Sequence, residues 1–82
     1  MLNSMPSQKL PILSSRKLIK ILKKEGFVEE PIKRGSHRKF VKKEHNHTYV
    51  TIVPKTKHIG RDLLNAIIEQ SGHTRESFLE LL

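Results

Sequence analysis

Between Gly26 and Pro54 the hydrophobic residues stand in short runs suited to strands, whereas before and after that block they recur at intervals of three and four, as on helices. This change of period leaves few folds open. A meander of short strands has one apolar face to bury, and the flanking amphipathic helices are the surfaces available to cover it. At 82 residues there is room for one layered core. The chain has no cysteine, so packing rather than disulfides or cysteine-bound zinc must hold it together.

Taken in order, residues 1–13 contain Pro6 and Pro11 and no helical period, and read as a flexible N-terminal tail ahead of a single domain over 14–82. Ser14 or Ser15 supplies a helix N-cap. Leu18, Ile21 and Leu22, widened by Ile19, form an apolar stripe, while Lys17, Lys20 and Lys24 lie on another face, and Gly26 is the stop. Phe27 to Lys33 reads as a first strand, with Pro31 suited to an edge. A turn at Arg34-Gly35-Ser36 leads to a second strand over His37–Lys42. A polar loop from Lys43 to His47 follows, and then a third strand over Thr48–Val53 that Pro54 ends.

In that third strand Val50 and Ile52 form the apolar face that needs a cover, leaving Tyr49, Thr51 and Val53 on the other. Leu63, Leu64, Ile67 and Ile68 mark a further helix that stops at Gly72. Thr74 caps a short last one carrying Phe78, Leu81 and Leu82. The expected fold is therefore α+β, a two-layer α-β-β-β-α domain. Its three-stranded antiparallel sheet has helices on one face and a short C-terminal helix beyond, in outline similar to double-stranded-RNA-binding domains.

Charge is concentrated in one segment. Residues 16–43 hold eleven Lys and Arg against Glu25, Glu29 and Glu30, while the remainder has five of each sign, so the whole net charge of +8 sits there. Such asymmetry suits a polyanion, either nucleic acid or an acidic protein surface. No apolar run approaches the ~20 residues of a bilayer span, and no signal-peptide core is present near the start, so a cytoplasmic protein without membrane contact is expected.

The chemistry-bearing stretch is Lys33-Arg34-Gly35-Ser36-His37-Arg38-Lys39-Phe40. Gly35 can adopt the left-handed conformation of a tight turn. Strand alternation then puts His37, Lys39 and Val41 on one face and Arg38, Phe40 and Lys42 on the other. With Phe40 in the core, His37 and Lys39 point out of it. An accessible imidazole among cations suits an anionic ligand, and phosphate chemistry is the sharp interpretation. The bland alternative is a histidine tolerated at an exposed strand end.

Several segments together resemble the HicA family of toxins, the small mRNA interferases of toxin–antitoxin pairs. These are the opening helix Lys17-Leu18-Ile19-Lys20-Ile21-Leu22 closed by Gly26-Phe27, the Gly35-Ser36-His37 turn with Phe40 beyond it, Thr51-Ile52-Val53-Pro54, the Leu63-Leu64-Asn65-Ala66-Ile67-Ile68 helix, Gly72, and the Glu76-to-Leu82 end. The resemblance implies the α-β-β-β-α fold, an endoribonuclease serving as the toxin of a stress-response pair, mRNA as substrate, and His37 as the catalytic histidine. It also implies a HicB-like antitoxin covering the His37 surface. Many relatives carry a histidine shortly after the Val-Pro pair. Here Lys55 and Thr56 follow, and the nearest histidine is His58.

The eight acidic residues are scattered, which favours a metal-free route in which a ribose 2′-OH attacks the adjacent phosphorus. Neither a metal nor a small-molecule cofactor is expected. Arg34, Gly35, Ser36, Arg38 and Lys39 are the phosphate-binding candidates, with Lys39 ahead of Arg38 because it shares the face of His37. Tyr49 could stack on a base, and Lys17, Lys20 and Lys24 could track the RNA backbone or form a solvated face. Tyr49, Ser36, His58 or a lysine could supply a second acid–base group. Glu44, His45 and His47 could touch a metal, although two histidines at i and i+2 in a loop make a poor site. The competing function is a non-catalytic basic RNA-binding module, which needs the same cations but not the imidazole.

Overall fold

The computed structural model describes residues 10–32 and 35–82. Its elements are α1 (Ser15–Lys24), β1 (Val28–Glu30), β2 (His37–Glu44), β3 (His47–Pro54), α2 (Arg61–Gln70) and α3 (Arg75–Leu79). The strands form one antiparallel sheet in the order β1-β2-β3. Helices pack on one face, giving the expected two-layer α+β architecture.

Helix α1 begins where Ser14 accepts the N–H of Lys17 at 3.1 Å and ends at Glu25, followed by Gly26 at φ 98°. Lys23 and Lys24 place positive charge at its C-terminal end, where the helix dipole favours it. Ser15 has a different task from its neighbour. Its buried hydroxyl sits between the carbonyls of Pro54 and Thr56 and accepts the Thr56 N–H at 2.7 Å. The start of α1 is thereby pinned to the end of β3.

Two segments differ from the expected boundaries. Pro31 removes a ladder donor, and β1 ends at Glu30 rather than Lys33. The loop expected over 43–47 contracts, because Glu44 pairs with His47 and only His45 and Asn46 make the turn, with His45 at φ 54°. At the N-terminal side, Leu10 and Leu13 are buried in the core, and Leu13 bridges Ile59. Leu10 and Leu13, expected in the tail, are therefore packed, while Pro11 and Ile12 between them are exposed; residues 1–9 lie outside the described set.

The buried face of β3 is the reverse of the expected one. Phe40 pairs with Thr51 and Arg38 with Val53, so Thr51 and Val53 face the helices while Val50 and Ile52 stand on the open face. Register explains the reversal. Side chains directly opposite one another share a face, and Phe40, a fully buried aromatic ring, commits its cross-strand partner to the core. Thr51 is accommodated there because its hydroxyl donates to the Gln70 side-chain oxygen at 2.8 Å.

The core gathers Leu18 and Leu22 from α1, Phe27, Phe40 and Val53 from the sheet side, Leu64, Ile67 and Ile68 from α2, and Phe78 from α3. Thr74 and Ser77 form a capping box at the start of α3. His73, just before it, bridges Ser77 Oγ at 2.8 Å and Glu25 Oε1 at 2.9 Å, which ties the end of α1 to the α2–α3 junction. Gly72 has φ +84°, and a Cβ there would meet Tyr49 Cε1 at 2.6 Å. Glycine is required at that junction for both conformation and space.

Candidate active site

Gly35, at φ +55°, and Ser36 deliver the chain into β2, and the Ser36 carbonyl accepts the Lys55 N–H at 2.9 Å. That bond closes the β2–β3 ladder at the end where His37 faces Pro54. Alternation from buried Phe40 puts the exposed His37 on the open face. Ser36 Oγ lies 3.5 Å from His37 Nδ1, at the outer limit of a hydrogen bond. The imidazole is thus held by backbone on a rigid strand end, with its ring open to a ligand.

The two cations beyond it are used differently. Arg38 turns to the other side of the sheet, where Nε and Nη2 donate to Glu29 at 2.7 and 2.6 Å and the guanidinium lies over the Phe40 ring, 5.7 Å from its centroid. Hydrogen bonding from Arg38 holds the Glu29 carboxyl below its ordinary value, and the same bonding raises Arg38. Arg38 is a committed partner of Glu29. Lys39 stays on the His37 face, with its Nζ 3.5 Å from Glu30 Oε1 in a long, exposed contact that an anionic ligand can displace.

The remaining candidates separate into three places. Arg34 lies outside the described residues. Lys17, Lys20 and Lys24 are exposed on α1, in the helix layer and on the opposite side of the sheet from His37. The first turn of α1 nevertheless reaches the His37 end through Ser15 and Pro54. Tyr49 lies on the covered side rather than the open face: its ring packs at Gly72, partly buried against the core, and stands 4.2 Å from His47 between centroids. Its face is therefore occupied by protein, since its parity follows that of Thr51 and Val53.

Sequence reasoning did not assign Lys55 and Lys57 to the site. Both are exposed immediately after Pro54, and the Lys55 amide is bonded to Ser36. Two lysines following the strand end opposite a candidate histidine were the available signal. Among the described residues no group of three or more His, Asp or Glu side chains could hold a metal ion. No described helix is long and apolar enough to cross a membrane.

A strand-end imidazole beside Lys39, with Lys55 and Lys57 following its cross-strand neighbour, can exchange protons and attract a phosphodiester. Comparison with known families gives this geometry its context. A family model described as HicA toxin of bacterial toxin-antitoxin matches residues 15–73, well over half of the chain. No curated protein and no solved structure shows a significant match to the chain.

Proposed function

The chain belongs to the HicA toxin family and is thus the toxin of a toxin–antitoxin pair with a cognate antitoxin, and from this premise we propose that it is an mRNA-cleaving endoribonuclease with His37 as its catalytic residue. The observation that carries the reading is the exposed imidazole on the first residue of β2, within the matched region and on the same sheet face as Lys39.

In the proposed reaction His37 accepts the proton of a ribose 2′-OH. The freed oxygen attacks the adjacent phosphorus, the bond from phosphorus to the 5′-oxygen breaks, and the leaving oxygen takes a proton from solvent water, while the proton on His37 returns to solvent afterwards. Acid–base assistance of this kind is worth ~10²–10⁴-fold. Lys39 supplies positive charge toward the phosphate as negative charge builds in the transition state. Arg38, spent on Glu29, has a structural role at the sheet end. Gly35 and Ser36 present the imidazole, and Lys17, Lys20 and Lys24 add a long-range field that draws RNA toward the domain.

This route leaves a 2′,3′-cyclic phosphate on one product and a 5′-OH on the other. End analysis of RNA cleaved by the purified protein in EDTA tests it, and 5′-phosphate ends would reject the mechanism. RNA binding without cleavage, unaffected by His37→Ala, would instead identify a non-catalytic RNA-binding module. The inhibitor is proposed to be a HicB-like antitoxin that covers His37 and meets its positive field with acidic groups.

A further inference from the structure

The two edges of the sheet are finished differently. β1 is three residues long, carries Glu29 and Glu30 and is followed by Pro31, a short, charged edge of the kind that resists pairing with another chain. β3, at the other edge, runs for eight residues without Asp, Glu, Lys or Arg, and no bulge breaks its register with β2. That register also fixes which of its backbone groups are spare. The Lys55 N–H bonds to the Ser36 carbonyl, and bonded pairs alternate with unbonded ones along an antiparallel ladder. Arg38–Val53, Phe40–Thr51 and Lys42–Tyr49 therefore exchange bonds, while Thr48, Val50 and Ile52 turn their N–H and C=O groups away from β2. Pro54, the next outward residue, has no N–H, and its carbonyl accepts the Ser15 hydroxyl. Among the described residues no hydrogen bond engages the outward groups of Thr48, Val50 and Ile52.

We propose that the β3 edge pairs with the same edge of a second copy of this chain, antiparallel about a two-fold axis at Val50, so that a homodimer shares one six-stranded sheet. Three observations select this occupant. With Val50 opposite Val50, Thr48 of each copy meets Ile52 of the other, and the three N–H and three C=O groups that each edge turns outward all find partners. In the same register the row Val28, Val41, Val50 runs on into Val50, Val41 and Val28 of the second copy, and Val50, 40% exposed in the single chain, gains an aliphatic cross-strand neighbour. The net charge of +8 opposes the pairing little, because the cations stand back from this edge. Lys39 of one copy and Lys43 of the other are three strand spacings apart, about 14 Å, beyond the ~8 Å screening length at physiological salt.

The axis sets the two His37 imidazoles toward opposite ends of one shared open face and leaves both accessible. The pairing stands whether or not His37 is catalytic, since it uses only the edge.

The chain has no cysteine, so a single introduced one reports the register cleanly. Under mild oxidation of the full-length protein, Val50→Cys should form a disulfide-linked dimer, because opposed residues of a bonded pair have Cα atoms about 5.5 Å apart, within disulfide reach. Val28→Cys, at the far edge, should crosslink more slowly by about tenfold or more. Light scattering of the wild type should show the mass rising toward that of a dimer with concentration, while amide exchange at Thr48, Val50 and Ile52 slows. Val50→Lys keeps an aliphatic stem over Val41 but sets two ammonium groups against each other across the axis. It should weaken self-association by about tenfold or more and leave thermal unfolding of the dilute protein nearly unchanged. A wild type that stays monomeric at every concentration would overturn the proposal. So would equal crosslinking at Val28 and Val50, or self-association that Val50→Lys does not weaken. Edge amides protected only when antitoxin or RNA is added would also overturn it and assign the edge to that partner.

Discussion

The two faces of the sheet differ in aliphatic content, and the richer one is the one left open. On one, Phe40, Thr51 and Val53 are sealed beneath α1 and α2; on the other, Val28, Val50 and Ile52 remain in contact with solvent, together with His37 and Lys39. Local hydrophobicity would favour burying Val50 and Ile52 over Thr51. The large aromatic ring of Phe40 decides otherwise, because a strand cannot bury that ring without also burying whatever lies directly across from it. The covered face holds the fold, and the open face carries the residues proposed for function.

Substitutions that treat the faces alike should have unlike results. Phe40→Ala removes a fully buried aromatic ring and is expected to cost about 3–5 kcal/mol, whereas Ile52→Ala on the open face should cost about 0.5 kcal/mol or less. Urea unfolding of the pair measures the contrast, and similar losses would break it. Gly72→Ala comes next. Its added methyl collides with the Tyr49 ring at a left-handed backbone, so a loss of about 1–3 kcal/mol in thermal unfolding is expected. Gly35→Ala, at φ +55° with no atom within 4 Å of the new methyl, bears only the backbone term and should lose about 1–2 kcal/mol at most.

The smallest effect concerns Glu29 and Arg38 at the rim of the covered face. Glu29 is lowered from an ordinary value of 4.5 by its bonds to Arg38. A carboxyl lowered in the native state stabilises above its unfolded value, and the contribution is lost as pH falls through the lowered native value. Wild type should therefore be slightly more stable than Glu29→Gln above about pH 4.5, and the two should converge as pH falls below that. Both partners are well exposed, so the difference should shrink further in high salt. A gap that persists at low pH would show that Glu29 acts by packing instead.

Element order, the glycine stops at Gly26 and Gly72, the Thr74 cap and the outward direction of His37 and Lys39 were all legible in the sequence, because each follows from local periodicity or from one residue's conformational preference. Which face of β3 was buried was not. That depends on cross-strand register, and Thr51 looks polar until Gln70 supplies its partner from α2. Tyr49 was misplaced by the same inversion. The burial of Leu10 and Leu13 depends on Ile59, far along the chain, and no local pattern announces it. At the site, the imidazole and Lys39 could be read from alternation, but the commitment of Arg38 to Glu29 required knowing that β1 pairs with β2 in that register.

The central claim is that the open face carries the chemistry through His37. The most direct measurement compares wild type with His37→Ala for cleavage of single-stranded RNA, alongside binding of the same RNA and thermal unfolding of both proteins. Loss of cleavage by about 10²-fold or more, with fold and RNA affinity retained, is the predicted result. Equal cleavage by the two proteins would contradict the claim and move the catalytic group away from His37.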